Sequence, residues 1–132
     1  MVNSIANVAL VVKDYDEAKD FYINKLGFTL VEDTTLSPEK RWVVIRPRGA
    51  EANTSTCLLL AKAVGDEQLA CVGNQAGGRV MLFLNTDNFW EDYHEMKEKG
   101  VEFLEEPRVE SYATVVVFKD LYGNKWDFIQ RK

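Results

Sequence analysis

Ala6-Asn7-Val8-Ala9-Leu10-Val11-Val12 and Gly78-Arg79-Val80-Met81-Leu82-Phe83-Leu84 are two versions of one phrase. Aligning Asn7 with Arg79 gives an offset of 79 − 7 = 72. The same offset sets Asp20-Phe21 against Asp92-Tyr93, and Val43-Val44-Ile45 against Val115-Val116-Val117. Gly27 meets Gly100 after a slip of one residue, and Leu30-Val31-Glu32 then falls on Phe103-Leu104-Glu105. Two apolar strands alone would match by chance. Strand, helix, glycine, strand and strand in one order indicate a duplicated supersecondary unit.

Each copy can be read element by element. Residues 7–12, rich in Val and Leu, predict a buried strand. Asp14 is placed to cap a helix, with Glu17 three positions on. Ala18, Phe21, Tyr22 and Leu26 recur at helical spacing, and Gly27 supplies the stop. Strands are predicted at 28–32, 41–46 and 56–61, the last two parted by the turn-rich stretch 47–53. In the second copy a strand at 79–85 leads to Thr86 or Asp87 as helix cap. Phe89, Tyr93 and Met96 form the buried helical stripe, which Gly100 ends. A strand at 101–104 is stopped by Pro107. Strands at 112–119 and 125–130 are joined by the tight turn Leu121-Tyr122-Gly123-Asn124, in which Gly123 takes a positive φ. The fold class expected is α+β in a single domain: module one over about residues 4–62, a glycine-rich linker over 63–78, and module two over 79–131.

At 132 residues the chain is long enough to bury a core without disulfide or metal staples. Apolar residues make up 46% and charged residues 28%, the balance of a soluble globular protein. The formal net charge is −5, with 16 basic residues scattered among 21 acidic ones. Phosphate-rich partners need a basic patch, so neither nucleic acid nor an anionic membrane is an expected partner. No apolar run approaches the roughly 20 residues that span a bilayer. Residues 1–12 lack a basic segment ahead of an apolar run and a small-residue cleavage site, so no secretory signal is expected. Cys57 and Cys71 make no disulfide framework, and free thiols in the cytoplasm are the expectation.

Residues 8–12, then Asp14-Tyr15-Asp16-Glu17-Ala18 and Phe21-Tyr22, the Leu26-Gly27-Phe28 stop and the late turn Asp120-Leu121-Tyr122-Gly123-Asn124, set within two βαβββ units, resemble the glyoxalase/bleomycin-resistance/dioxygenase proteins. This is the vicinal-oxygen-chelate superfamily, and the resemblance covers essentially the whole chain. It implies two βαβββ modules forming a cupped mixed sheet with helices on the convex side, a small-molecule ligand in the cup, and a homodimer. It also implies four strand positions that hold a metal in the superfamily's metal-dependent enzymes, usually two His and two Glu. There the cation holds neighbouring oxygens and stabilises the charge that develops on them. Those positions fall on Asn7, near Leu59, on Arg79 and on Asp127. Only Asp127 suits a cation, so no metal and no other cofactor is expected.

Strand alternation then assigns faces. If Asn7 and Arg79 face the cup, so do Ala9, Val11, Met81 and Phe83, while Val8, Leu10, Val12, Val80, Leu82 and Leu84 pack under the helices. Leu59 and Asp127 bring Cys57, Lys125 and Ile129 to the same face. The offset groups Trp42 and Val44 with Thr114, Val116 and Phe118. Because Val43, Ile45, Val115 and Val117 suit a helix-facing core, Trp42, Tyr112 and Phe118 are expected to line the cup and stack on a planar ligand. The candidate ligand-binding residues are Asn7, Trp42, Leu59, Arg79, Phe83, Tyr112 and Asp127.

Arg79 and Asp127 admit two readings. They form an ion pair in the space of a metal, or Arg79 clamps a ligand carboxylate or phosphonate while Asp127 orients it. Trp90 and Trp126 read as core or dimer contacts. His94 sits on a helix, away from the cup, and reads as structural. Cys57 has no visible base beside it, and residues 73–78 precede no helix, so nucleophile and phosphate-cradle roles are set aside.

Three functions compete. The first is a metal-independent protein that binds a small aromatic or acidic molecule in the cup. The alternative is a glyoxalase-type lyase or isomerase, or a dioxygenase, with a divalent metal on non-standard ligands such as Asp127, Glu32 or Glu105. The third is a structural or regulatory dimer whose cup is filled by side chains.

Overall fold

Short apolar strands alternating with a capped helix give each copy a mixed four-strand core. In the computed structural model, which describes residues 1–50 and 55–132, the chain forms two compact units, Met1–Val72 and Gly73–Lys132. The turn expected at 47–53 runs into residues 51–54, outside the described residues.

The first unit runs β1 (Asn7–Val12), α1 (Tyr15–Asp20), β2 (Thr29–Ser37), β3 (Lys40–Arg46), β4 (Cys57–Lys62) and α2 (Gly65–Cys71). Its sheet has the order β1-β4-β3-β2, with β1 parallel to β4 and the other pairs antiparallel. Asp14 caps α1, its Oδ2 accepting from the Glu17 N–H at 2.8 Å. The helix then loosens into a π turn over Phe21–Lys25, closed by the Leu26 N–H donating to the Phe21 carbonyl. Ala18, Phe21, Tyr22 and Leu26 are buried, as are Leu10, Val12, Val43, Ile45, Leu58 and Leu60, and α1 packs across β3 and β4. Each Leu or Phe buried this way contributes about 1.5–3 kcal/mol. The stretch expected to be plain linker contains α2, a two-turn helix with no buried residue.

A charged cluster fastens the β2–β3 hairpin to α1. The Arg41 guanidinium donates to both Asp33 oxygens, at 3.1 and 2.6 Å, and to Asp16 at 2.9 Å. Lys19 adds a bond to Asp33 at 2.8 Å, and Arg41 lies over the Tyr15 ring. The Arg41 bonds, then the Lys19 bond, hold the Asp33 carboxyl down at about 2. A carboxyl depressed by folding stabilises above its unfolded pKa near 3.8 and loses that contribution as pH falls toward 2. With solvent screening discounted, the effect is about 1 kcal/mol. Urea unfolding of wild type and Asp33→Asn should therefore differ by that amount at pH 7 and converge near pH 2.

The second unit runs β5 (Val80–Asn85), α3 (Phe89–Glu98), β6 (Glu102–Phe103), β7 (Arg108–Val109), β8 (Ala113–Lys119) and β9 (Lys125–Arg131). The order is β5-β9-β8-β6, with β7 also on β8. Proline has no N–H to give a ladder, and the strand matching β2 is accordingly split around Pro107 into β6 and β7. Phe89, Tyr93 and Met96 form the buried stripe of α3. The N-cap is Asn88 rather than Thr86 or Asp87. Thr86 still organises the turn, accepting from the Asn88 N–H and donating to Asp92, while Gln130 Oε1 accepts from the Phe89 N–H at 2.8 Å. In the β8–β9 turn, Asp120 Oδ1 accepts from the N–H groups of Tyr122, Gly123 and Asn124, and Gly123 has φ +106°.

Two face assignments need correction. Phe118 is fully buried, stacked on Trp126 at 5.9 Å and edge-on to Phe103 and Phe128. It lies in the core beside α3, not on the open face. The register gives the reason: Ile45 pairs with Leu58 in the first unit and Phe118 with Trp126 in the second, so the offset is 118 − 45 = 73. The slip at the glycines persists to the end of the unit, and one residue of slip exchanges the two faces of a strand. Val115 and Val117 therefore stand on the open side of β8. Val80 is the second case. A bulge between Val80 and Leu82 adds a residue to β5 and resets its alternation, so Val80 turns to the open side with Arg79.

Candidate functional site

In the first unit, register places Asn7 beside Cys57, and Ala9, Leu59 and Val44 in one row across three strands. Trp42 follows Val44 on that face, opposite the buried Val43 and Ile45. A bulge between Leu30 and Glu32 lets both Val31 and Glu32 reach the same hollow. The result is a concavity of about 540 Å³ walled by Asn7, Val31, Glu32, Trp42, Val44 and Cys57. Thr34 donates to the Glu32 carboxylate at 2.8 Å. Cys57 Sγ is 3.7 Å from the Ser55 carbonyl. Ser4 and Ser55 also line it, so the hollow joins one large aromatic ring and aliphatic groups to several hydrogen-bonding groups, and a small-molecule site uses both kinds.

In the second unit, Asp127 stands between Phe83 on β5 and Val117 on β8. Arg79, Val80, Leu104, Glu105, Val117 and Lys125 line a shallower hollow of about 340 Å³. Glu105 occupies the gap that Pro107 opens in the sheet. Its Oε2 accepts from the Val117 N–H and its Oε1 from Arg108, each at 3.1 Å. Lys125 Nζ donates to the Gly78 carbonyl at 3.2 Å. Asp127 Oδ1 is buried and has no hydrogen-bond partner among the described residues. Burial raises the Asp127 pKa above the usual carboxylate value, with Glu105 adding to the rise and Arg108 opposing it.

The candidate residues thus divide by unit. Asn7, Trp42 and Leu59 share the open face of the first sheet. Asp127 and Phe83 share that of the second, with Arg79 on the rim of its hollow. Among the described residues no salt bridge joins Arg79 to Asp127. Tyr112 precedes β8, is 61% exposed, and lies outside the hollow's lining. Trp126 is core, and Trp90 is half exposed on α3. His94 is exposed on the same helix.

Sequence reasoning missed Arg46, which alternation places on the open face opposite buried Ile45 and whose Nε is buried without a partner among the described residues. It also missed the role of Glu105 in the ladder. The signal for Glu105 was an acid two residues before a strand-breaking proline.

The profile of the Glyoxalase/Bleomycin resistance protein/Dioxygenase superfamily matches residues 4–128. The chain belongs to that superfamily. A protein of Shewanella frigidimarina (strain NCIMB 400) is 55% identical over 131 residues, covering 98% of this chain and 95% of its own. YetH of Bacillus subtilis (strain 168) is 33% identical over 126 residues, covering 94% and 95%. Among solved structures, UcmS2 superposes with a TM-score of 0.81 at 28% identity over 98% of each chain. TnmS3, an antibiotic binding protein from Streptomyces sp. CB03234, gives 0.76 at 26% identity over 99% of this chain and 98% of its own.

The four positions that the resemblance sets against the metal ligands of the superfamily's metal-dependent enzymes, Asn7, Leu59, Arg79 and Asp127, carry an amide, an aliphatic group, a guanidinium and a carboxylate. A divalent cation needs several oxygen, nitrogen or sulfur donors, and a guanidinium repels it. The set does not fit a metal. Nor do the described residues contain another group of three His, Cys, Asp or Glu able to hold one. Among the described residues no helix is long and apolar enough to cross a membrane.

Proposed function

We propose that this superfamily member binds a small aromatic or acidic molecule on its open sheet faces without a stable metal. The observation that carries the reading is Trp42, held on an open sheet face in a concavity of about 540 Å³ whose other walls mix apolar groups, such as Val31 and Val44, with the polar Asn7, Glu32 and Ser55. A tryptophan ring there offers a planar ligand a stacking surface worth about 0.5–1.5 kcal/mol beyond the area it buries. Asn7 supplies a nearby amide, and Arg79 offers a guanidinium for an acidic group on the second unit's rim. Similarity to TnmS3, described as an antibiotic binding protein, supports the same reading. On this reading the protein works in the cytoplasm, in keeping with its free cysteines, and as a homodimer, which light scattering would test.

Thermal shift against a panel of planar aromatics, with and without a carboxylate, is the test. A ligand stabilises by RT ln(1 + [L]/Kd), so a hit should raise the wild-type melting temperature and lose most of that rise in Trp42→Ala. For an acid-bearing ligand seated on the second unit, Arg79→Ala rather than Trp42→Ala should remove the rise. Protein purified without chelator should carry well under one equivalent of nickel, zinc or iron. Stoichiometric metal would favour the enzyme reading instead, and silence across the panel would favour a face closed to ligands.

A further inference from the structure

Two buried polar side-chain atoms lack a hydrogen-bond partner among the described residues, Arg46 Nε and Asp127 Oδ1. A carboxylate in that condition is costly, because desolvation is not offset by a donor. Asp127 is half-buried. Its register neighbours, Phe83 on one side and Val117 on the other, offer no donor side chain. With Oδ1 sealed and the residue only half-buried, Oδ2 is the oxygen left to meet a donor on the face that Asp127 shares with Phe83 and Val117. Phe83 is 62% exposed there, so an apolar ring surface adjoins the acceptor.

The surrounding charges narrow what the acceptor takes. Glu105 is already engaged by Arg108 and by the Val117 N–H, and Arg108 also bonds Glu110. Arg79 and Lys125 stand at the hollow. An ammonium at Asp127 would share its face with Lys125, two residues along β9, whereas a carboxylate set on Asp127 itself, rather than on Arg79 at the rim, would meet a like charge. A neutral O–H donor avoids both conflicts.

We propose that the second unit's open face recognises a hydroxylated aromatic molecule, its phenolic O–H donating to Asp127 Oδ2 while its ring lies against Phe83 and Val117. This rests on the binding function above and names the chemistry of its ligand. Asp127 then acts as the group that prefers a phenol to the matching hydrocarbon. Hydrogen bonds to a charged acceptor are strong, and one that also relieves a desolvated carboxylate discriminates by about tenfold or more.

Equilibrium dialysis with 2-naphthol, 2-methylnaphthalene and 2-naphthylmethylammonium, which share one ring system, tests it. Wild type should bind 2-naphthol about tenfold tighter than 2-methylnaphthalene, and tighter than the ammonium. Asp127→Leu should bring the naphthol-to-hydrocarbon ratio to about one while keeping the hydrocarbon affinity. Asp127→Asn, which keeps an acceptor oxygen, should retain part of the preference. Circular dichroism would confirm that both variants fold. Equal binding of the two neutral probes to wild type, a preference that survives Asp127→Leu, or tightest binding of the ammonium would each overturn the assignment. Those outcomes leave the general binding function standing. Failure of all three probes to bind would count against both.

Discussion

Phe118→Ala should lower the free energy of unfolding by about 3–5 kcal/mol, the range for emptying a fully buried aromatic site. Its ring is closed in by Trp126, Phe103 and Phe128, so removal leaves a cavity that a sheet sandwiched against α3 cannot easily collapse. Tyr112→Ala makes the contrast, since Tyr112 is 61% exposed and surface changes usually stay within about 0.5 kcal/mol. Urea denaturation followed by circular dichroism gives both values. A loss below about 1 kcal/mol for Phe118→Ala, together with weakened ligand binding, would return Phe118 to the open face and undo the register argued above.

The second large effect is expected at Gly73, where the chain enters the second unit. A Cβ built there would lie 2.0 Å from the Tyr122 carbonyl oxygen and 2.9 Å from its carbon, at φ +77°. Those are backbone atoms of a turn that Asp120 holds through three N–H bonds, and Asn124 ties Gln75 to the same turn. Neither side has a flexible tip that can step aside. Gly77 has a similar φ of +64° but nothing within 4 Å of its Cβ position. Gly77→Ala should therefore cost about 1 kcal/mol, the conformational penalty alone. Gly73→Ala should cost about 3 kcal/mol or more, because the clash is added and the turn must move. Equal losses at the two positions would show that the entry segment does not rest on the turn.

How far the sequence reaches differs between elements. The order of strands and helices is legible because its signals are local. Phe89, Tyr93 and Met96 fall on one side of a helix whatever surrounds it, and Asp14 meets the Glu17 N–H through three residues of chain. The facing of Trp42 on β3 is legible too, since Val43 and Ile45 flank it with side chains suited to a core. On β8 the same logic fails. Val115, Val116 and Val117 fit either face, so the pattern accepts an offset of 72 or 73, and pairing with β9 makes the choice. Helix capping shows a similar limit, because the acceptor for the Phe89 N–H comes from Gln130, on another strand.

The residues of the candidate site follow that division. Chemistry at single positions is written in the chain: of Asn7, Leu59, Arg79 and Asp127 only Asp127 suits a divalent ion, and an aliphatic group and a guanidinium do not ligate one in any conformation. Environment is not. That Asp127 has one oxygen sealed among apolar neighbours, that Glu105 is spent on a backbone N–H, and that Val80 turns outward at a bulge all depend on which strands lie side by side. Periodicity and residue type act over a few bonds and survive in the one-dimensional text, whereas register, bulges and burial arise from contacts between residues far apart in it.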